Sequence, residues 1–493
     1  MKLKNSRQKI SLSASGARIR GDEYQHLVTW CLVLQILLDH RNVRDIGIED
    51  PDAGNMDDIT VYYQNGSGRF YQVKFSVDAR QLVNTAWLMR PSKNKRPSII
   101  QRFYKVWKTL RQNGITPHLE LITNRPIDPE DPILILRDGR GGSVAERLSN
   151  VGSGTLAGKQ KLTMAQHLDA SESELIDFLH ALRFTFGKLQ EEWFEKASLL
   201  MRILGYRWDN DAIAAGKNLV RSWVIDGKRK FASDELRREV ESLNLQAGKP
   251  IPMLLVQAID RDPNASGATI LLDWVDNFYG DEPRERRRLK KTALWHKKFR
   301  PELQDAVRKF RAMGASQIFV RGYMRLPTWF VVGVELSKTS GFNIMTLQNG
   351  EPFSTEGKPD DFLISTKMNK RVAKGSELAI GISISTDLSA DVLPYIERNI
   401  PVVGRYICVR PQKDPDNFCI ESAAQARGCA LNIREKVRQL VRKFKPDKLH
   451  LFLATPAAVA LILGHYWDRL PDTQLYEDQG PNRGYLPSFF IPN

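Results

Sequence analysis

Met56-Asp57-Asp58-Ile59-Thr60-Val61-Tyr62 and, after a short polar stretch, Phe70-Tyr71-Gln72-Val73-Lys74-Phe75 decide how the first third of the chain folds. Both runs are rich in β-branched and aromatic residues, and Asn65-Gly66-Ser67-Gly68 between them carries the turn chemistry of a hairpin. Alternate residues of a strand share a face, so Gln72 and Lys74 point one way and Tyr71, Val73 and Phe75 the other. A carboxylate on one strand with a lysine on its neighbour suits metal-dependent phosphodiester hydrolysis. The carboxylate holds a divalent cation that binds the scissile phosphate and acidifies a water. The ammonium orients that water or meets the charge developing on the phosphate. For Asp58 to face Lys74, Thr60 must pair with Gln72 and the turn must centre on Gly66. That expects a loop of three or five residues; a two-residue turn would slip the pairing by one and send Asp58 to the opposite face.

Outward from this hairpin, Gly21 to Leu38 reads as a helix that is apolar nearly all round after Gln25, and hence buried. Strands are expected at Val43 to Ile48, Asp58 to Gln64, Arg69 to Val77 and His118 to Thr123, with a helix from Ser98 to Gln112. This is an α/β layer pattern. From about Thr163 to Leu245 strand signals nearly vanish, leaving helices at Ser173 to Ile203 and Asp211 to Ile225 and one capped by Ser233. After Gly248-Lys249-Pro250 alternation resumes. Strands are expected at Ala268 to Leu272 (the first of this half), Gln317 to Arg321, Phe330 to Leu336, Leu378 to Ser385, Pro401 to Val409 and Lys448 to Ala454. Two αβ half-units would meet near Gly375. The expected domains are 1–150, a helical region 151–247 continuing that half, and 248–493.

Composition bounds the function. The 493 residues hold 73 Lys and Arg against 57 Asp and Glu, a formal net charge of +16, with 42% hydrophobic residues. A disordered or collagenous chain is excluded, and a polyanionic partner heads the list. The apolar windows Val28 to Leu38 and Leu449 to Gly464 are too short or too interrupted to span a bilayer, which takes roughly 20 apolar residues. The basic N-terminus (Lys2, Lys4, Arg7, Lys9) is followed by Ser-rich sequence without an apolar signal core. No membrane partner is expected. Four cysteines (Cys31, Cys408, Cys419, Cys429) form no C-x-x-C pair, so a reducing cytoplasm is expected rather than a disulfide or zinc scaffold.

Gly21-Asp22-Glu23-Tyr24-Gln25 on a buried helix, then Asp58, then Gln72-Val73-Lys74 resembles the PD-(D/E)xK nuclease superfamily over about residues 15 to 125. It is most similar to the branch whose first helix opens G-x-x-Y-Q and whose lysine motif is Q-x-K. The resemblance implies a restriction-endonuclease-like αβ core. Asp58 would be the metal-binding carboxylate and Lys74 the catalytic lysine. Gln72 stands where a second acid often sits, and Gln25 or Glu23 would complete the site from the helix. It also implies Mg2+ or another divalent cation such as Mn2+, held by Asp58 and Gln72. Asp57 and Glu49 are possible supplementary ligands, although a loop carboxylate and a strand-end charge describe them more simply.

In the second half, Asp273-Trp274 follows the first expected strand, and then comes a basic stretch: Arg284, Arg286, Arg287, Arg288, Lys290, Lys291 and Trp295-His296-Lys297-Lys298. A solvated helix face accounts for most such runs, but aromatics beside cations also stack on bases and hold phosphates. Thr386-Asp387 and Thr455-Pro456 fall at strand-to-helix turns, where helix N-termini favour anions and where simple N-caps serve equally well. Leu449-His450-Leu451-Phe452-Leu453-Ala454-Thr455-Pro456, Gln474-Leu475-Tyr476-Glu477 and Tyr485-Leu486-Pro487-Ser488 resemble the closing segment of SAVED domains. Leu272-Asp273-Trp274, Trp295 and Leu326-Pro327-Thr328-Trp329-Phe330-Val331-Val332-Gly333 resemble the same family. That resemblance implies two fused CARF-type Rossmann-like units binding a cyclic oligonucleotide. The candidate ligand residues are Asp273, Trp274, His296, Lys298, Tyr323, Arg325, Thr386, Asp387, Thr455 and Tyr476.

Together the halves resemble the SAVED endonuclease effectors of CBASS, a bacterial antiphage system. What this implies is a double-stranded DNA endonuclease of little sequence specificity. It would be activated by a cyclic oligonucleotide, a trinucleotide of the cyclic tri-AMP kind, and would self-associate on binding it. A cGAS/DncV-like nucleotidyltransferase would be the functional partner that makes the messenger. The alternative is a non-catalytic nucleic-acid-binding regulator, for which Gln72 in place of an acid is the best support.

Overall fold

The long first helix is α1 (Ala14–Asp39), and Leu27 to Leu37 are almost all buried in it because the sequence there is apolar on every side. The computed structural model describes residues 14–39, 42–54, 56, 58–91, 97–137, 142–262, 265–283, 285–348, 350–412, 415, 420, 422–480 and 483–493. Asp57, Arg284, Cys419 and the basic N-terminal residues named above lie outside the described residues. The chain divides into two compact units, 1–249 and 250–493. Among the described residues no helix is long and apolar enough to cross a membrane.

In the first unit β1 (Val43–Ile48), β2 (Ile59–Tyr63) and β3 (Ser67–Lys74) form an antiparallel meander. α2 (Thr85–Met89) follows, then α3 (Ile99–Gln112), whose start is fixed by a capping box of Ser98 and Gln101. β4 (Thr116–Thr123) returns parallel to β3. α4 (Ala145–Ser149), α5 (Leu156–Leu168) and α6 (Glu172–Ala181) lead to β5 (Leu182–Thr185), parallel to β4. α7 (Gln190–Ile203), α8 (Asn210–Ile225), β6 (Lys230–Ala232) and α9 (Ser233–Glu241) complete the unit. The sheet order is β5-β4-β3-β2-β1-β6. Phe70, Leu119 and Leu121 pack with Phe103 and Trp107 of α3 and Phe178 of α6 in one core.

The helical middle region therefore contributes both edges of this sheet. Leu182–Thr185 interrupts the helix expected over Ser173 to Ile203: Leu182 and Phe184 are buried while Arg183 and Thr185 are not, the period-two pattern of a strand. A four-residue strand flush against a helix gives almost no sequence signal of its own, and three-residue β6 gives less.

The second unit holds two sheets. β7 (Met253–Gln257), β8 (Ile270–Asp273), α10 (Arg300–Ala312), β9 (Gln317–Tyr323), α11 (Leu326–Glu335), β10 (Asn343–Gln348) and β11 (Glu351–Ser354) make the first, ordered β11-β10-β9-β7-β8. β12 (Ile364–Arg371), β13 (Glu377–Ser383), α12 (Ser389–Asn399), β14 (Val403–Pro411), α13 (Ala423–Phe444), β15 (Leu449–Ala454), α14 (Ala457–His465), β16 (Thr473–Asp478) and β17 (Tyr485–Ile491) make the second. Its order is β12-β14-β13-β15-β16-β17, with β12 and β17 antiparallel on the edges. One core runs through both halves, from Leu254 to Ile491.

Two expectations are corrected here. The half opens with β7, one strand earlier than Ala268 to Leu272 suggested. Phe330 to Leu336 belongs to a helix, because Pro327 sits in its first turn and α11 is buried on every side against α14. The two helices touch through glycines: a Cβ on Gly333 would lie 2.1 Å from the Leu461 carbonyl oxygen, and one on Gly464 2.0 Å from that of Phe330.

Candidate functional site

β2 ends at Tyr63 and β3 begins at Ser67, so the hairpin loop is the three residues Gln64 to Gly66. Gly66 takes φ +81° and the Asn65 side chain accepts from the Ser67 N–H at 3.0 Å. The odd loop keeps Asp58 on the face of Gln72 and Lys74. The pairing, however, is two residues from the expected one: Ile59 opposes Tyr71 and Thr60 opposes Phe70 rather than Gln72. The turn centres on Asn65, and a shift of two residues preserves the face while moving the partner. Asp58 consequently meets Gln72. The Gln72 amide donates to Asp58 Oδ2, and the Val73 N–H donates to the same oxygen at 2.6 Å. Lys74, half-buried, closes β3 opposite Thr123 of β4.

Two residues that the sequence did not single out hold this geometry. Buried Asn124 clamps the chain just past Lys74, accepting from the Ser76 N–H at 2.8 Å and donating to the Ser76 carbonyl at 2.7 Å. Fully buried Asp50 accepts from Thr60 Oγ1 and Tyr62 OH, both at 3.2 Å, with Lys230 Nζ at 3.6 Å. Thr60 and Tyr62 alternate with Asp58 on one face, so Asp50 backs the candidate site. Glu49 contributes its backbone N–H to the Asp58 carbonyl at 3.2 Å.

From α1, Tyr24 is the anchor. Its hydroxyl donates to the Lys188 carbonyl at 2.7 Å and accepts from Trp193 Nε1 at 3.0 Å, its ring meets Phe75 at 5.4 Å, and burial raises its phenol pKa. Glu23 pairs with Lys217. Among the described residues, the Gln25 side chain bonds to none of Asp58, Gln72 or Lys74; its carbonyl accepts from Thr29 Oγ1 at 2.8 Å. Among the described residues no group of three or more His, Cys, Asp or Glu converges as a metal cluster. The donors present still suit Mg2+, which takes one or two carboxylates and keeps several waters. Half a turn of the Gln72 carboxamide would bring its oxygen beside Asp58.

In the second unit the ligand candidates separate into two groups. Tyr323 (45% exposed) and Thr386 lie open at strand ends. Asp387 pairs with Lys367; partial burial would raise its carboxyl, yet the Lys367 ammonium and the Ser389 N–H bring it down to about 2. Asp273 is bound by Arg261 at 2.7 Å, and Lys298 reaches Asn277 at 3.5 Å. His296 is exposed, Thr455 is buried with its hydroxyl on the Pro456 carbonyl, and Arg325 begins α11.

Trp274 and Tyr476 are corrected. Trp274 is fully buried, stacked on Phe299 at 4.2 Å, with Nε1 donating to Glu302 at 2.6 Å. Its ring is core, because the turn after β8 folds back beneath α10. Tyr476 is buried against Phe452, with its hydroxyl 2.7 Å from His450 Nδ1, while His450 Nε2 meets Glu377. Its neighbour Glu477 points to the other face, as strand alternation requires. There Glu477 lines a cavity of about 330 Å³ with Arg287, Arg288, Lys290, Lys291 and Trp295. Part of the basic stretch thus borders a cavity at the end of β16.

Comparisons with known proteins bear on both units. CD-NTase-associated protein 4 of Enterobacter hormaechei subsp. hoffmannii (strain UCI 50) is 22% identical over 516 residues, covering 96% of this chain and 99% of that protein. Among solved structures, the Acinetobacter baumannii Cap4 SAVED/CARF-domain containing receptor with the cyclic trinucleotide 2'3'3'-cAAA is 16% identical, covering 96% of this chain and 99% of that one with a TM-score of 0.40. The Moraxella osloensis Cap4 receptor is 16% identical with the same coverage and a TM-score of 0.36. Residues 295–491 match the family described as SAVED, "SMODS-associated and fused to various effectors sensor domain", so the C-terminal unit carries a SAVED domain.

Proposed function

We propose that the chain is an antiphage effector of the CBASS type, with a metal-dependent DNA endonuclease in residues 1–249 and a cyclic-oligonucleotide sensor in residues 250–493. The observation that carries this reading is the common face of Asp58, Gln72 and Lys74 on the β2–β3 hairpin, in the same chain as a SAVED domain. The order α1, β1-β2-β3 meander, α3, parallel β4 is the order the nuclease reading calls for.

In this reading Asp58 and Gln72 hold Mg2+ or Mn2+, which when bound grips the scissile phosphate and lowers the pKa of a water. Lys74 orients that water or stabilises the phosphate charge, and the Val73 N–H and the Asn124 clamp fix the two side chains in place. Double-stranded DNA is gripped by its backbone, so cutting has little sequence preference. The sensor takes a cyclic trinucleotide made by a partner nucleotidyltransferase, and its binding drives self-association.

The test is plasmid DNA with Mg2+, with and without a panel of cyclic oligonucleotides. Degradation that depends on one ligand supports the effector. Binding of DNA without cutting, under every ligand, supports a non-catalytic regulator, the reading that Gln72 in an acid's place favours.

A further inference from the structure

We propose that the solvent face of α13, with Arg371 and Arg405 beside its end, is a DNA-holding surface on the sensor unit that grips the duplex by its phosphates. The proposal rests on the DNA reading above and goes beyond it, because it gives the sensor its own hold on the substrate.

α13 buries Ala426, Ile433, Val437 and Leu440 on one side. From Arg434 onward the remaining surface carries Arg434, Lys436, Arg438, Arg442, Lys443 and, just past the helix, Lys445, with Glu435 the single acid. Asp468 takes up Arg434, and Glu435 reaches Arg442 only at 3.9 Å. Among the described residues Lys436, Arg438, Lys443 and Lys445 form no ion pair. α10 is built differently, since its Arg308 and Lys309 both fold onto Asp305.

The negative end of the helix dipole favours cations in the last turn. That accounts for Arg442, Lys443 and Lys445, but not for Lys436 and Arg438 in the body of the helix. Nor does it account for two arginines on the adjoining strands. Arg371 of β12 lies directly opposite Arg405 of β14, and like charges so placed destabilise a sheet. An anion between them would relieve that repulsion. Arg405 is ordered in advance: its guanidinium lies over the Phe444 ring at 4.7 Å and donates to the Asn369 side chain. A fixed guanidinium among uncompensated cations suits a phosphate, which its N–H groups hold at low cost in side-chain entropy. The run from Arg434 to Lys445 is roughly 16 Å long, the length of about five phosphates along one strand of B-DNA. Its side chains are cations on long stems rather than amides aimed at base edges, so it positions a duplex without reading its sequence.

The experiment is fluorescence anisotropy of a labelled duplex with the full chain and a chelator, across a salt series, with and without cyclic tri-adenylate. Arg438→Gln with Lys445→Gln removes two cations from the α13 face. Arg308→Gln with Lys309→Gln removes two from α10 and controls for net charge. The α13 pair should weaken binding about 10-fold and flatten the slope of log affinity against log salt by about 1 to 2, near 0.9 for each lost phosphate contact. The α10 pair should stay within about threefold of the wild type, with its slope unchanged. Thermal melting checks that both variants fold. An α13 loss no larger than the α10 loss overturns the α13 surface, and the nuclease reading stands so long as the wild type cuts plasmid. An α13 pair that binds DNA normally but no longer forms larger particles with ligand in sedimentation assigns the face to a second copy of the chain and likewise overturns the DNA role. A wild type that neither binds nor cuts duplex under any ligand overturns the DNA reading and this surface with it.

Discussion

Gln72 is the residue on which the nuclease reading is most exposed. It is 4% exposed and its amide donates to the Asp58 carboxylate, a contact that a second acid in its place would turn into repulsion. Gln72→Glu places two carboxylates together in a half-buried position, where like charges repel. That variant should melt below the wild type in the presence of a chelator. Because a ligand that binds only the folded state stabilises by about 2.7 kcal/mol at a hundred times its dissociation constant, Mg2+ should then raise its melting temperature more than it raises the wild type's. Equal Mg2+ shifts in the two proteins would remove Asp58 and Gln72 as the metal pair. Trp274 belongs to the same scale with the opposite lesson. Fully buried against Phe299, it should cost about 3–5 kcal/mol on truncation to alanine. Denaturant unfolding of Trp274→Ala would show this as a loss of stability; an unchanged midpoint with lost ligand binding would restore Trp274 to the ligand surface.

Among elements, the α11–α14 pair joins the two halves of the second unit and carries a built-in acid sensitivity. His465, 2% exposed at the end of α14, donates from Nδ1 to the Leu336 carbonyl at 2.6 Å. Burial lowers its pKa to about 4, partly countered by that hydrogen bond, with Lys338 lowering it further and Asp468 opposing. In the unfolded chain the imidazole titrates near 6.5, so between about pH 6.5 and 4 the unfolded state binds the extra proton. Stability should therefore fall as the pH drops through that window, by up to about 3 kcal/mol from this group. Urea midpoints at pH 7 and 4.5 should diverge more for the wild type than for His465→Gln; parallel curves would mean that the ring titrates normally. How far the sequence revealed these elements follows from length and context. β1 and the helix α3 were legible because strand alternation and helical periodicity are written in neighbouring residues. The hairpin's face was legible from loop parity, but its register was not, since Asn65 rather than Gly66 centres the turn. α11 read as a strand because a helix buried on all sides loses its amphipathic period. Tyr476 faces the core while its neighbour Glu477 lines a cavity, and on an alternating strand nothing local says which face of β16 meets that cavity.

At the scale of the whole molecule, the net charge of +16 is compatible with both a DNA backbone and a ring of phosphates and distinguishes neither. Stoichiometry is more informative. The first unit brings together one Asp58, one Gln72 and one Lys74 on a single hairpin, and under the nuclease proposal one such face would engage one phosphodiester at a time. A duplex has two backbones, so prompt double-strand cleavage calls for two copies acting together, which is what ligand-driven self-association would provide. Lys74→Ala should abolish cutting while leaving ligand binding and assembly intact, because Lys74 lies in the first unit and the SAVED match in the second. Mixing ligand-activated wild type with a growing excess of Lys74→Ala should then fill assemblies with one active and one inactive site. Linear plasmid should give way to nicked circles, and sedimentation should show the same larger particles throughout. If the ratio of linear to nicked product stays constant as the inactive chain is added, each copy cuts both strands alone and assembly serves another purpose.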